Sequence, residues 1–158
     1  YLNWIEPLHN KNLSTARYSW EALVKKPAWN TWAGYTFESI CYKHIDIIKK
    51  ALRPEHIPAF CSNWLYRPNK GEGAQIDLVF DRDDGCITLC EIKYSEKPYL
   101  LSKDYAADLQ KKEAIFNKVT RNKKQIFWVL IASNGAVSNN ILKEQINKTI
   151  DLDNFFEF

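Results

Sequence analysis

The chain has 158 residues, of which 46% are hydrophobic and 26% charged, and its formal net charge is +3. This size and composition suit one globular domain with a sizeable core. No apolar run approaches the ~20 residues that a membrane-spanning helix needs, and no signal peptide is visible. None of the four cysteines forms a C-x-x-C pair, so we expect reduced core thiols in a cytoplasmic protein and no zinc site.

The charge is unevenly distributed along the chain. Residues 11–53 contain eight Lys or Arg against three Asp or Glu, and residues 97–124 have the same balance. Residues 54–96 reverse it, with four basic residues against eight acidic ones. Charge runs are usually solvated faces, but this acidic centre also contains carboxylates set among apolar residues, so we expect it to be functional.

The first segment, residues 1–33, has no clear helical or strand period and is predicted to be irregular. The chain begins with Tyr1 and contains no Met. We therefore expect a piece of a longer protein, with residues 1–33 as the connection to a part upstream.

Residues 34–52 are predicted to form a helix that Pro54 ends. Extending its apolar stripe backward by three residues reaches Glu38, a carboxylate at the head of a core-facing stripe. The alternative is an ordinary first-turn glutamate favoured by the helix dipole. The stripe consists of Cys41, Ile45, Ile48 and Leu52.

The later elements follow from hydrophobic period and turn residues. We predict strands at 60–66, 74–81 and 86–94, a helix at 103–119, a continuous apolar strand at 125–132 and a last helix at about 138–147. Helix, three strands, helix and strand together predict an α/β fold with a mixed central sheet flanked by helices.

The second and third strands form a predicted hairpin around the loop 83–85. Asp-Asp-Gly suits a three-residue loop with its glycine in the left-handed region. This loop places Asp77 opposite Glu91. It also places Gln75 opposite Lys93, and alternation keeps all four on one face of the sheet.

Two facing carboxylates repel each other, so a cation is expected between Asp77 and Glu91. Their hard oxygen atoms suit Mg²⁺ or Mn²⁺, and the backbone carbonyl of Ile92 is a possible further ligand. The alternative is a structural ion pair of one carboxylate with Lys93.

These residues resemble the PD-(D/E)xK nuclease superfamily, which places an acidic residue in one strand and Glu-x-Lys in the next. The pattern here is Asp77 followed by Glu91-Ile92-Lys93, with Glu38 matching the glutamate that many members carry in the first core helix. The resemblance implies a restriction-endonuclease-like αβββαβ core, which agrees with the predicted order of elements.

A closer resemblance is to the C-terminal domains of AAA-type ATPases of the DUF234 kind. The segments that carry it are 29–38 and 73–81, and it covers roughly residues 29–132. It implies a nuclease-like domain at 34–158 and an ATPase part in the same full-length chain. Ile76 replaces the proline that names the superfamily.

The resemblance further implies a Mg²⁺- or Mn²⁺-dependent DNA hydrolase. Asp77 and Glu91 would hold the metal together with the Ile92 carbonyl, and Glu38 would assist. Lys93 would orient the attacking water or stabilise the phosphate charge. The expected site neighbours are Gln75 and Tyr105.

DNA is the expected partner, and basic side chains are expected to contact its phosphates. Self-association is left open, and no membrane contact is expected. The alternative function is a nuclease-like fold that binds DNA or protein without catalysis. The proposed phosphate contacts are Lys43, Lys49, Lys50, Lys103, Lys111 and Lys112.

Overall fold

A computed structural model describes residue 22, residues 24–52 and residues 57–156. The chain divides into two compact units, residues 1–36 and residues 37–158. Most of the predicted connecting segment 1–33 lies outside the described residues, as does Pro54.

The described part of the first unit contains the start of helix α1 (Pro27–Lys43). The prediction of irregular structure is therefore wrong for residues 27–33. Proline is favoured at the first position of a helix, where its missing N–H has no helical partner to lose. The rings of Trp29 and Trp32 lie 4.8 Å apart on this first part of α1.

Helix α2 (Ile45–Leu52) follows α1 after a single turn residue, so the predicted helix 34–52 is two helices. The His44 amide donates both to the Ile40 carbonyl, at 3.0 Å, and to the Cys41 carbonyl, at 3.2 Å. This shared bond tightens the chain at the junction. Cys41 and Ile48 are fully buried, which confirms the predicted stripe.

The second unit is built on a five-stranded mixed sheet in the order β1-β2-β3-β4-β5. The first three strands are antiparallel, and β3, β4 and β5 are parallel, which confirms the predicted α/β class. The strands are β1 (Ala59–Tyr66), β2 (Ala74–Arg82), β3 (Cys86–Lys93), β4 (Gln125–Ala132) and β5 (Lys148–Ile150).

Two further helices connect the parallel strands, α3 (Lys103–Thr120) and α4 (Asn140–Gln145). Helix α4 is shorter at both ends than the predicted last helix, 138–147. The Asn139 side chain caps its start by accepting from the Leu142 amide at 2.7 Å. A short 3₁₀ turn (Asp153–Phe155) follows β5. Within the described ranges, no helix combines the length and apolar character needed to cross a bilayer.

Each face of the sheet has its own hydrophobic cluster. Helices α3 and α4 cover one face, called here the α3 face; α2 and the later part of α1 cover the other. The α3 face includes Ile76, Val79, Leu89, Leu109, Phe116 and Leu130. The opposite cluster includes Phe37, Cys41, Ile48, Phe80, Ile92 and Ile131.

The hairpin between β2 and β3 has the predicted register over its length near the turn. Gly85 has φ +80°, a backbone conformation that favours glycine. Leu78 lies opposite Cys90. The ladder ends at that pair, so neither the predicted pairing of Asp77 with Glu91 nor that of Gln75 with Lys93 forms.

Candidate functional site

A bulge bends β2 where it separates from β3. The register between β1 and β2 shifts so that Asp77 and Leu78 both lie opposite Asn63. Bulges of this kind re-aim side chains. The Asp77 carboxylate turns to β3 and accepts the Ile92 amide at 2.8 Å, and the Tyr42 hydroxyl donates to the Asp77 carbonyl at 3.1 Å.

Glu91 lies on the adjacent strand with its carboxylate almost fully enclosed, at 2% exposure. Lys93 Nζ lies 2.9 Å from Oε1, and Lys112 Nζ lies 2.9 Å from Oε2. The Tyr105 hydroxyl also donates to Oε1. Since Tyr105 and Lys112 belong to α3, the Glu91 side chain lies on the α3 face.

Burial and nearby charges shift the pKa values of all three carboxylates in the sequence pattern. Burial raises the pKa of Asp77 to about 6, helped by the negative charges of Glu91 and Glu38. The Ile92 amide and Lys93 oppose this increase. Asp77 therefore keeps its proton to a higher pH than a solvent-exposed aspartate does.

Glu38 and Glu91 respond differently to the same cluster. Burial raises the pKa of Glu38, with Glu91 adding to the rise and Lys93 opposing it. Burial alone would also raise the pKa of Glu91, but Lys93, Lys112 and the Tyr105 hydrogen bond outweigh it and lower that pKa. Glu91 is thus the stable anion of the cluster.

The predicted phosphate-binding lysines fall into two groups on opposite faces of the sheet. Lys43, Lys49 and Lys50 belong to α1 and α2, and the other three belong to α3. The placement of Lys112 corrects the surface role expected for it, because its ammonium group pairs with Glu91 inside the site. Lys111 forms an exposed ion pair with Glu72 at 2.6 Å.

Two contacts of the site were missed by the sequence analysis. The sequence did contain a signal for Lys112. It lies seven residues after Tyr105 and therefore on the same face of the helix, two turns later. Tyr42 gave no such signal, since its hydroxyl donates from α1 to a backbone carbonyl, that of Asp77 on β2. Tyr105 lies against Glu91 as expected, whereas Gln75 is exposed on a part of β2 that pairs only with β1.

The donor chemistry of the cluster fits a hard divalent ion. Glu38, Asp77 and Glu91 offer carboxylate oxygens, which Mg²⁺ and Mn²⁺ prefer. Burial raises the pKa of Asp77 and the negative charges of Glu91 and Glu38 add to the rise, and a bound cation would oppose both effects. In the part of the chain that the structure describes, no three His, Cys, Asp or Glu side chains are already arranged as a metal site. To bind the ion, Glu91 would therefore have to give up contacts with Lys93 and Lys112.

The described elements form a mixed α/β fold, with the acidic cluster at the point where β2 and β3 separate. No protein-family model matches the chain, and no curated protein matches it. The chain is similar to the solved structure of the EndoMS-dsDNA2 complex, with a TM-score of 0.39 and 16% identity. The match covers 68% of this chain and 43% of that one, less than half its length.

Proposed function

We propose that the second unit is a metal-dependent DNA phosphodiesterase. The observation that carries the proposal is the meeting of Asp77, Glu91 and Lys93 at the point where β2 and β3 separate, with Glu38 near enough to help raise the pKa of Asp77. Metal-dependent hydrolysis of a phosphodiester uses anionic ligands that hold the metal and a donor for the developing phosphate charge. These residue types supply both.

Each side chain has a role that follows from its surroundings. Asp77, Glu91 and the Ile92 carbonyl would hold Mg²⁺ or Mn²⁺, with Glu38 assisting. The bound ion would polarise the phosphate and acidify a water molecule. Lys93 is part exposed, so its ammonium group can leave Glu91 and donate to the water or to the phosphate oxygens.

The first test is metal binding. Isothermal calorimetry with Mn²⁺ should show a saturable site in the wild-type protein, and Asp77→Ala should abolish it because a ligand is lost. Lys93→Ala should keep the site, since a protonated lysine has no acceptor to offer a metal. Equal heats from all three proteins would contradict the proposal.

A second candidate function is a nuclease-like module that binds DNA or protein without catalysis. The enclosure of Glu91 by Lys93, Lys112 and Tyr105 favours it, because these donors already satisfy the carboxylate. This candidate predicts no Mn²⁺ site and no cleavage, but retained binding of its partner.

We further propose that the domain works beside an ATPase in a longer chain. The support is the sequence resemblance to domains attached to AAA-type ATPases. A full-length sequence with a phosphate-binding loop upstream of Tyr1 would agree with this, and one with a different upstream domain would contradict it.

DNA binding should weaken steeply as salt increases, because the proposed contacts are to phosphate. For duplex DNA the slope of log K against log salt is about −0.9 per phosphate contact. Lys43→Ala and Lys103→Ala, both at exposed positions, should each reduce that slope by roughly one. Fluorescence anisotropy over a salt series measures it, and a slope unchanged by either substitution would exclude that lysine from the interface.

A further inference from the structure

A second surface feature lies at the hairpin end of the sheet, away from the carboxylate cluster. It is an open cavity of about 380 Å³ on the α3 face. It combines aromatic rings with basic side chains. The cavity is lined by residues that include Phe60, Trp64, Phe116, Arg121, Lys123 and Lys124.

The aromatic part of this cavity is a row on the edge strand β1. Phe60 and Trp64 both line the cavity, and Tyr66 stacks on Trp64 with ring centres 6.2 Å apart and planes 18° apart. Trp64 also packs edge-on against Phe116 at 5.1 Å, which fixes it to the core. Phe60 is 74% exposed, so core packing does not explain a large ring at this position.

The row leads from the cavity to the carboxylate cluster. β1 runs antiparallel to β2, with Phe60 opposite Asp81 and Trp64 opposite Ile76, the residue before Asp77, so the row passes beside the cluster. From Phe60 to Tyr66 the strand extends roughly 20 Å, and one strand spacing of about 4.8 Å separates it from β2. Glu91 lies on the same face, because its carboxylate contacts α3.

The cavity rim carries the charge that a phosphate backbone would need. Lys124 pairs with Asp81 at 2.6 Å, which neutralises the acidic residue of the lining. Within the described ranges, Arg121 and Lys123 form no ion pair, so their charges are available. Arg121 ends α3 with φ +54°, a left-handed backbone conformation that glycine or asparagine adopts with less steric strain. The chain keeps a guanidinium group there at a cost in local stability.

We propose that the β1 aromatic row and its basic rim bind a single-stranded segment of nucleic acid and direct it to the carboxylate cluster. Unpaired bases can stack on Phe60 and its neighbours, while Arg121 and Lys123 contact phosphates. Bases inside a duplex are already stacked and have no free face to offer. The delivery step rests on the proposed nuclease function, whereas the binding does not.

The test measures binding of a fluorescein-labelled oligothymidylate by anisotropy, with EDTA present so that neither metal nor cleavage contributes. Phe60→Ala should weaken binding by roughly 5- to 150-fold, the range for loss of one stacked base. The affinity for a duplex of equal length should change little. Phe156→Ala is the matched control, because it removes an equally exposed ring (78%) outside the β1 row.

A second variant tests the rim. Arg121→Gly relieves the left-handed backbone, so the protein should fold at least as well, yet its affinity for the single strand should fall. Unchanged single-strand binding by Phe60→Ala would overturn the proposal, as would equal losses for single strand and duplex. Nuclease function is tested separately by nicking in Mn²⁺. A failure of single-strand binding and a failure of cleavage can therefore be told apart.

Discussion

Lys93→Ala should lower Mn²⁺-dependent nicking of plasmid DNA by ~10²–10³-fold, the usual loss when one well-placed transition-state donor is removed. The fold should survive, because Glu91 keeps Lys112 at 2.9 Å and the Tyr105 hydroxyl. Metal binding should also survive, which distinguishes this loss from that of a ligand variant. Nicking rates and Mn²⁺ calorimetry on the same protein preparation measure both properties.

Lys97→Ala is the matched control for this experiment, since Lys97 is an exposed lysine four residues later in the chain. It should nick at the wild-type rate. The rival hypothesis, a purely structural pair of Lys93 with Glu91, predicts a lower melting temperature for Lys93→Ala and no role in cleavage. Undiminished nicking by Lys93→Ala would rule out the proposed mechanism.

The hairpin was predictable from sequence because its turn fixes the register. Asp-Asp-Gly admits a loop with Gly85 in the left-handed region, and the pairing of Leu78 with Cys90 follows from it. The bulge at Asp77 was not predictable in the same way. The bulge depends on the register in which β1 pairs with β2. The alternation of apolar and polar residues along a strand does not indicate that register.

The polar contacts around Glu91 were predictable only in part. The Glu-x-Lys spacing puts Lys93 on the same face of one strand as Glu91, and the structure joins them at 2.9 Å. Lys112 comes from a helix that crosses this face, so its contact depends on how α3 is placed on the sheet. The adjacent Lys111 has the same chemistry but points about 100° away, to the surface.

Asp77→Asn should make the metal-free protein more stable at neutral and alkaline pH while abolishing cleavage. Asparagine keeps an oxygen that can accept the Ile92 amide, so the bulge geometry is retained. The substitution removes the buried negative charge. The pKa of Asp77 is raised from 3.8 to about 6, and at 1.36 kcal/mol per unit its ionisation costs the folded state about 2–3 kcal/mol.

The sign of the pH dependence follows from that raised pKa. Below 3.8 the carboxyl is protonated in both folded and unfolded chains, so wild type and variant should be equally stable. Between 3.8 and about 6 the unfolded chain releases the proton first, and the wild type loses stability as pH rises. Above that window the variant should keep a constant advantage. Urea unfolding across this range measures the difference, with Asp83→Asn, in the exposed hairpin turn, as the control.

Metal should reverse the ranking of the two proteins. At a Mn²⁺ concentration about 1,000 times its Kd, a site present only in the folded wild type adds about 4.1 kcal/mol to its unfolding free energy, which exceeds the variant's advantage of about 2–3 kcal/mol. The variant has lost a ligand and should gain much less. The charge that destabilises the metal-free fold would then be the charge that binds the ion, a common exchange of stability for activity. An Asp77→Asn protein that is no more stable than wild type at alkaline pH would show that the Asp77 charge does not destabilise the fold. Equal stabilisation of the two proteins by Mn²⁺ would show that Asp77 is not a metal ligand.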